Sequence, residues 1–151
     1  MNGTIILGAA TTGKNRSIKL LYPRENRTDI NAGSLSKKSK KEAVRMLDYW
    51  LTGFTMSAKT TLIVIDEFPV RHFGILSEYL LLNFIKLEQQ GRDAVYITPK
   101  IVVIMDATYD SFYKNMSLLR RYNILTCLGN EDHSINLKLH HPIEIDPAYQ
   151  N

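Results

Sequence analysis

Two short stretches carry residue types that could do phosphate chemistry. The first, Gly8-Ala9-Ala10-Thr11-Thr12-Gly13-Lys14-Asn15, directly follows the apolar run Thr4-Ile5-Ile6-Leu7. Small residues and glycines permit a tight turn with bare backbone N–H groups, as an anion nest requires. The stretch satisfies G-x-x-x-x-G-K-[ST] at every fixed position but the last, where Asn15 stands in place of a hydroxyl residue. On that pattern Gly8, Thr11, Thr12, Gly13, Lys14 and Asn15 are the candidate nucleotide-binding residues. Lys14 would neutralise the β- and γ-phosphates, and the backbone from Ala10 to Lys14 would donate to phosphate oxygens. The second stretch is Leu62-Ile63-Val64-Ile65, which stops abruptly on Asp66-Glu67. Acids at the C-terminal end of a buried strand sit where open α/β sheets place their ligands. Asp66 would bind Mg²⁺ and Glu67 would act as base toward an attacking water. The missing hydroxyl normally shares that hard, oxygen-seeking cation, so the Asn15 carbonyl oxygen joins Asp66 as a candidate metal ligand.

The elements that must position these residues follow from periodicity. Thr4 to Leu7 reads as a short strand, and Asn15 to Tyr22 as a two-turn helix ended by Pro23. Strand, small-residue loop and helix N-terminus in that order make a phosphate-binding arrangement; an ordinary glycine-containing turn is the plain alternative. Arg24 to Ser39 is polar and turn-rich and reads as a loop, with Thr28 to Asn31 its only strand candidate. A helix is expected from about Ser36 to Leu51, with Ala43, Val44, Leu47, Trp50 and Leu51 on one face and Gly53 as its stop. After the strand ending at Asp66, a helix of about four turns is expected from Ile75 to Gln90, stopped by Gly91. Val95 to Ile97 is a possible short strand. Ile101 to Met105 is a second fully apolar strand that ends on Asp106-Ala107-Thr108. Ser111 to Arg121 is helix-like, and Ile124 to Leu128 and Ile135 to Ile145 complete the strands. Buried strands alternating with helices predict an α/β fold with a mostly parallel sheet.

Composition narrows the classes. At 151 residues, 44% hydrophobic and 23% charged, the chain has the length and make-up of one globular domain. The single Cys127 excludes a disulfide framework and a cysteine-rich zinc site, and fits a reducing, intracellular setting. His72, His133, His140 and His141 lack zinc-ligand spacing, and no Ser-His-Asp constellation stands out. The apolar start is too short for a signal peptide, and no run has the length of a membrane span. A net charge of +4 leans toward an anionic partner. Lys37, Lys38, Lys40 and Lys41 form a basic cluster that could meet nucleic-acid phosphates or simply be solvated. Tyr22, Trp50 and Tyr79 fall on apolar faces and read as core.

The two half-signals in this order resemble the Walker A and Walker B motifs of RecA-like P-loop ATPases. Leu62 to Pro69 is similar to motif II of the DExH-type superfamily 2 helicases, many of them viral, with Pro69 where that family has His. Lys100 to Thr108 is similar to their motif III strand, with Asp106 replacing Ser before Ala107-Thr108. Ile135 to Ile145 resembles the strand-rich segment that closes their first domain. The resemblance spans most of residues 4–145 but is carried by these short motifs. It implies a single RecA-like domain over residues 1–151, helices on both faces of its sheet, and ATP with Mg²⁺ as ligands. It also implies nucleic acid as partner, and a role for Thr108 in relaying the nucleotide state. The family's second RecA-like domain has no counterpart here, so the chain is expected to be either part of a larger helicase or a stand-alone relative.

Two alternatives follow. Ring-forming DNA-packaging or virion-assembly ATPases also resemble this layout; Asp106 or Thr108 would then be the sensor, and Arg120 or Arg121 a finger supplied to a neighbouring copy. A module that binds nucleic acid or protein without turnover is the third reading, kept open by Asn15.

Overall fold

The computed structural model describes residues 3–9, 13–52, 56–80, 84–88, 91–112, 122–129 and 135–140. Within them a six-stranded sheet is built from β1 (Gly3–Gly8), β2 (Arg27–Asn31), β3 (Leu62–Asp66), β6 (Lys100–Asp106), β7 (Tyr122–Gly129) and β8 (Ile135–His140). Its spatial order is β2-β3-β6-β1-β7-β8. All neighbours pair in parallel except β7 and β8. A two-stranded antiparallel unit joins β4 (Ile85–Leu87) to β5 (Val95–Ile97). The helices are α1 (Lys14–Leu21), α2 (Lys40–Thr52), α3 (Phe73–Leu80) and the short α4 (Tyr109–Phe112).

The central strands are apolar at successive positions because both of their faces are covered. Ile5, Leu7, Ile63, Ile65, Ile101, Val103 and Met105 point to one face, where they meet Ala43, Leu47 and Leu51 of α2 and Leu76 of α3. Ile6, Leu62, Val64, Val102 and Ile104 point to the other face, with Ile18 of α1 and Cys127. Each fully buried side chain of this size contributes about 1.5–3 kcal/mol relative to exposure. The expected α/β class with a mostly parallel sheet is what the chain adopts. Among the described residues, no helix is long and apolar enough to cross a membrane.

Three expectations need correcting. The segment read as a loop contains strand β2, paired in parallel from Arg27↔Leu62 to Asn31↔Asp66. As an edge strand it is only half buried, with Ile30 packed on the core and Asp29 and Asn31 exposed, so it lacks the continuous apolar run of its neighbours. The helix expected from Ser36 starts at Lys40, because Gly33–Lys37 forms a separate 3-10 turn and Lys38 is extended. Its buried face is Ala43, Leu47 and Leu51, while Val44 is exposed and Trp50 half-buried. The helix expected from Ile75 to Gln90 is replaced by α3, which begins at Phe73, and then β4. Ile85 and Leu87 are buried with exposed Lys86 between them, a period of two rather than 3.6.

Tyr22 is half-buried, its hydroxyl 2.9 Å from that of Thr4. Gly53, most of the helix expected up to Arg121 and residues 141–145 lie outside the described residues, as does the side chain of Tyr79.

Candidate phosphate and cation site

The parallel register brings the chemistry-bearing residues to one edge of the sheet. Gly8 at the end of β1 is level with Asp106 at the end of β6, and Asn31 at the end of β2 with Asp66 at the end of β3. Just past the end of β6, Ala107 bridges to Gly8. Gly13 caps α1 in the left-handed region at φ +86°. A side chain is strained at that φ, and a Cβ there would also meet the Arg16 guanidinium at 3.0 Å. Helix α1 therefore starts at Lys14, one residue earlier than the sequence suggests.

Lys14 is buried, and its ammonium has acceptors on all sides. Nζ donates to Gly8 O at 3.1 Å and Ala9 O at 2.6 Å, and lies 2.7 Å from Asp106 Oδ1. An ammonium carries three donors, so these partners saturate it. A phosphate reaching Lys14 must replace one of them. Asp106, whose side chain is 65% exposed, is the one free to swing away.

Asp66 and Asn15 do come together. Asn15 Nδ2 donates to Asp66 Oδ2 at 3.0 Å, and the second Asp66 oxygen accepts the Glu67 backbone N–H at 2.8 Å. Asn15 thus presents nitrogen, not oxygen, to the carboxylate. Its oxygen accepts from Arg27 Nη2 at 2.7 Å. Arg27 lies on β2 and also donates from Nε to Asp29 Oδ1 at 2.7 Å. Asp66 has the hard oxygen chemistry that suits Mg²⁺, and Asn15 adds a second oxygen only by turning its amide over. Among the described residues no group of three His, Cys, Asp or Glu side chains converges into a metal cluster.

Glu67 is exposed and holds its backbone at φ +54°, in the left-handed region that disfavours a side chain. Its carboxylate lies against the 3-10 turn: a Cβ on Gly33 would sit 2.8 Å from Glu67 Oε2 and 3.1 Å from Asn31 Oδ1. Asn31 Oδ1 also accepts the Gly33 N–H at 2.9 Å. The turn is tied to the segment after Glu67, since Arg71 donates to Ser36 O and Lys38 O, and buried His72 sits within hydrogen-bond distance of Leu35 O and Lys38 O.

Thr108 is exposed just beyond the end of β6, on this same edge. Ala10, Thr11 and Thr12 lie outside the described residues, as do Arg120 and Arg121. Spacing alone does not single out Arg27, Asp29 and Gly33, because the segment that carries them is polar and turn-rich. The alternation of Thr28 and Ile30 with Arg27, Asp29 and Asn31 is the signal that marks a half-buried edge strand.

No protein-family model matches the chain, and no curated protein does. Among solved structures, the chain is similar to "The A form apo structure of NrS-1 C terminal region-CTR", with 14% identity and a TM-score of 0.43. That match covers 83% of this chain and 28% of the other. A likeness of that size carries no argument about fold or activity.

Proposed function

We propose that the chain is a RecA-like P-loop domain that binds ATP with Mg²⁺ and hydrolyses it in the service of nucleic-acid work, as a helicase does. The observation that carries the reading is the meeting of two separate sequence signals on one sheet edge. The lysine of the glycine loop and the acids ending β3 lie on either side of the β6 end, joined by the Asn15–Asp66 contact at 3.0 Å. In this reading the strand ends on either side of β6 serve as a shelf for a polyphosphate.

In this reading Lys14 and the α1 N-terminus hold phosphate oxygens. Asp66 holds the cation, which would neutralise charge developing on the phosphates. Glu67 accepts the proton of the attacking water, held in place by the turn around Gly33. Thr108 reports the nucleotide state.

Nucleic acid as partner is supported by the basic run Lys37, Lys38, Lys40 and Lys41. Lys40 of this run lines a cavity of about 380 Å³ together with Val44, Arg71, His72, Gly74 and Ile75. Cations around a partly apolar floor suit a phosphodiester with its base or sugar. Arg71, which lines the cavity, also donates to Ser36 O and Lys38 O.

A second reading, a module that binds without turnover, is supported by the closed network in which Lys14 pairs with Asp106 and Asn15 with Asp66.

Calorimetry with ATP, with and without Mg²⁺, tests both. Lys14→Ala must abolish nucleotide binding, and Glu67→Gln must bind but not hydrolyse. Binding unaffected by Lys14→Ala overturns the phosphate-loop assignment. Nucleotide binding without any hydrolysis in the wild type leaves the second reading standing alone. Nucleic-acid binding with no nucleotide affinity sinks the ATPase.

A further inference from the structure

The amide of Asn15 is held at both ends. Its nitrogen donates to Asp66 Oδ2 at 3.0 Å, and its oxygen accepts from Arg27 Nη2 at 2.7 Å. A guanidinium can only donate and an ionised carboxylate can only accept. These partners therefore admit one orientation of the amide, with nitrogen toward Asp66. Arg27 is itself ordered: its side chain is 23% exposed, and Asp29 Oδ1 takes its Nε at 2.7 Å. The remaining Asp66 oxygen is already bonded to the Glu67 N–H. A divalent cation approaching Asp66 meets an N–H donor where an oxygen is wanted, with a positive charge behind it.

We propose that Arg27 is a positioning residue that weakens divalent-cation binding at the Asp66 carboxylate by holding the oxygen of Asn15. The cation gains a second oxygen only when the Asn15 amide turns over, and turning it over breaks the charge-assisted bond to Arg27 as well as the bond to Asp66. Where a hydroxyl occupies position 15 no such latch exists, because a hydroxyl rotates freely between donating and accepting. Asn15 is then more than a worn motif position. With Arg27 it makes tighter cation binding depend on an event that frees the guanidinium, such as an arriving phosphate that draws Arg27 away. The inference rests on Asp66 being the cation's carboxylate, as in the proposed function, but it requires neither nucleotide binding nor turnover.

The test uses Mn²⁺ and the full chain without nucleotide, with electron paramagnetic resonance reading the free ion. Arg27→Met is expected to bind Mn²⁺ about tenfold more tightly than the wild type, the scale of one charge-assisted hydrogen bond. That gain must vanish in Arg27→Met/Asp66→Asn. In an Asn15→Ser background, Arg27→Met must change Mn²⁺ affinity by less than about twofold, because the latch is already absent. Arg27→Lys, which keeps a cationic donor, must return toward wild-type affinity. Asp29→Leu, which releases Arg27 without removing it, is the second variant should Arg27→Met fail to fold, and it gains in the same direction. The proposal is overturned if neither Arg27→Met nor Asp29→Leu binds Mn²⁺ more tightly than the wild type, or if the gain survives loss of Asp66. An equal gain from Arg27→Met in the wild-type and Asn15→Ser backgrounds also overturns it, since Arg27 would then act only as a repelling charge. Loss of ATP binding without loss of the Mn²⁺ effect would sink the proposed function and leave this inference intact.

Discussion

Lys14 and Asp106 face each other at 2.7 Å across the ends of two strands that are far apart in sequence and adjacent in the sheet. The buried ammonium at the mouth of the glycine loop is therefore already matched by an anion of the chain itself. In the proposed function, phosphate and the Asp106 carboxylate would compete for that one ammonium.

Asp106→Asn is accordingly expected to tighten nucleotide binding by about tenfold, since it removes a like charge from the phosphate position. The cost in stability is about 1 kcal/mol, because the asparagine oxygen can still accept from the buried Lys14 ammonium. Titration with a fluorescent ATP analogue, beside a thermal melt, checks both halves. Weaker binding would mean that Asp106 assists the phosphate rather than competing with it.

Gly33→Ala places a methyl group 2.8 Å from the Glu67 carboxylate oxygen. Glu67 must move, while the fold, which buries no part of this contact in its core, stays intact. If Glu67 is the base of the proposed function, turnover falls by about tenfold or more with little change in nucleotide affinity, the signature of a misplaced catalytic group. Unchanged turnover would show that hydrolysis does not depend on where Glu67 rests against this turn.

His140 on β8 stacks on Tyr109 with ring centroids 3.9 Å apart and bonds to the Thr126 hydroxyl. Burial, and then the charge of Lys138, hold its imidazole below the ordinary 6.5, with Asp110 opposing them. The folded protein thus resists protonating this group more than the unfolded chain does. Its contribution is fully present above the ordinary value and is lost as pH falls through the lowered one. Melting temperature should drop as pH falls from above the ordinary imidazole value of 6.5 to below it, and His140→Gln should flatten that drop. An unchanged slope in the variant would assign the acid sensitivity to other groups.

The strands that run through the core were legible because burial on both faces leaves no room for polar residues: Ile5 to Leu7, Leu62 to Ile65 and Ile101 to Met105 announce themselves. The edge strand β2 was not, since Thr28 and Ile30 alone face inward and its other positions are free to be polar. Three-residue β4 was absorbed into a helix because Ile85 and Leu87, after the apolar Leu80 to Leu82, fit either period over so short a span. In the candidate site, spacing singles out Lys14, Asp66 and Asn15. It does not give the pairings with Asp106 and Arg27, because those contacts depend on which strands become neighbours, and that is decided by packing rather than by adjacency in sequence.

Glu67 stands in a backbone conformation that glycine adopts freely and other L-residues enter at a cost of about 1 kcal/mol. Replacing it with glycine should therefore raise the melting temperature while removing the carboxylate. An acid kept beside the Gly33 turn where the chain would be more stable with glycine is what a trade of stability for activity would look like, if Glu67 is the base of the proposed function. The tension is measurable: the variant that folds best at this position should be the one that does the least.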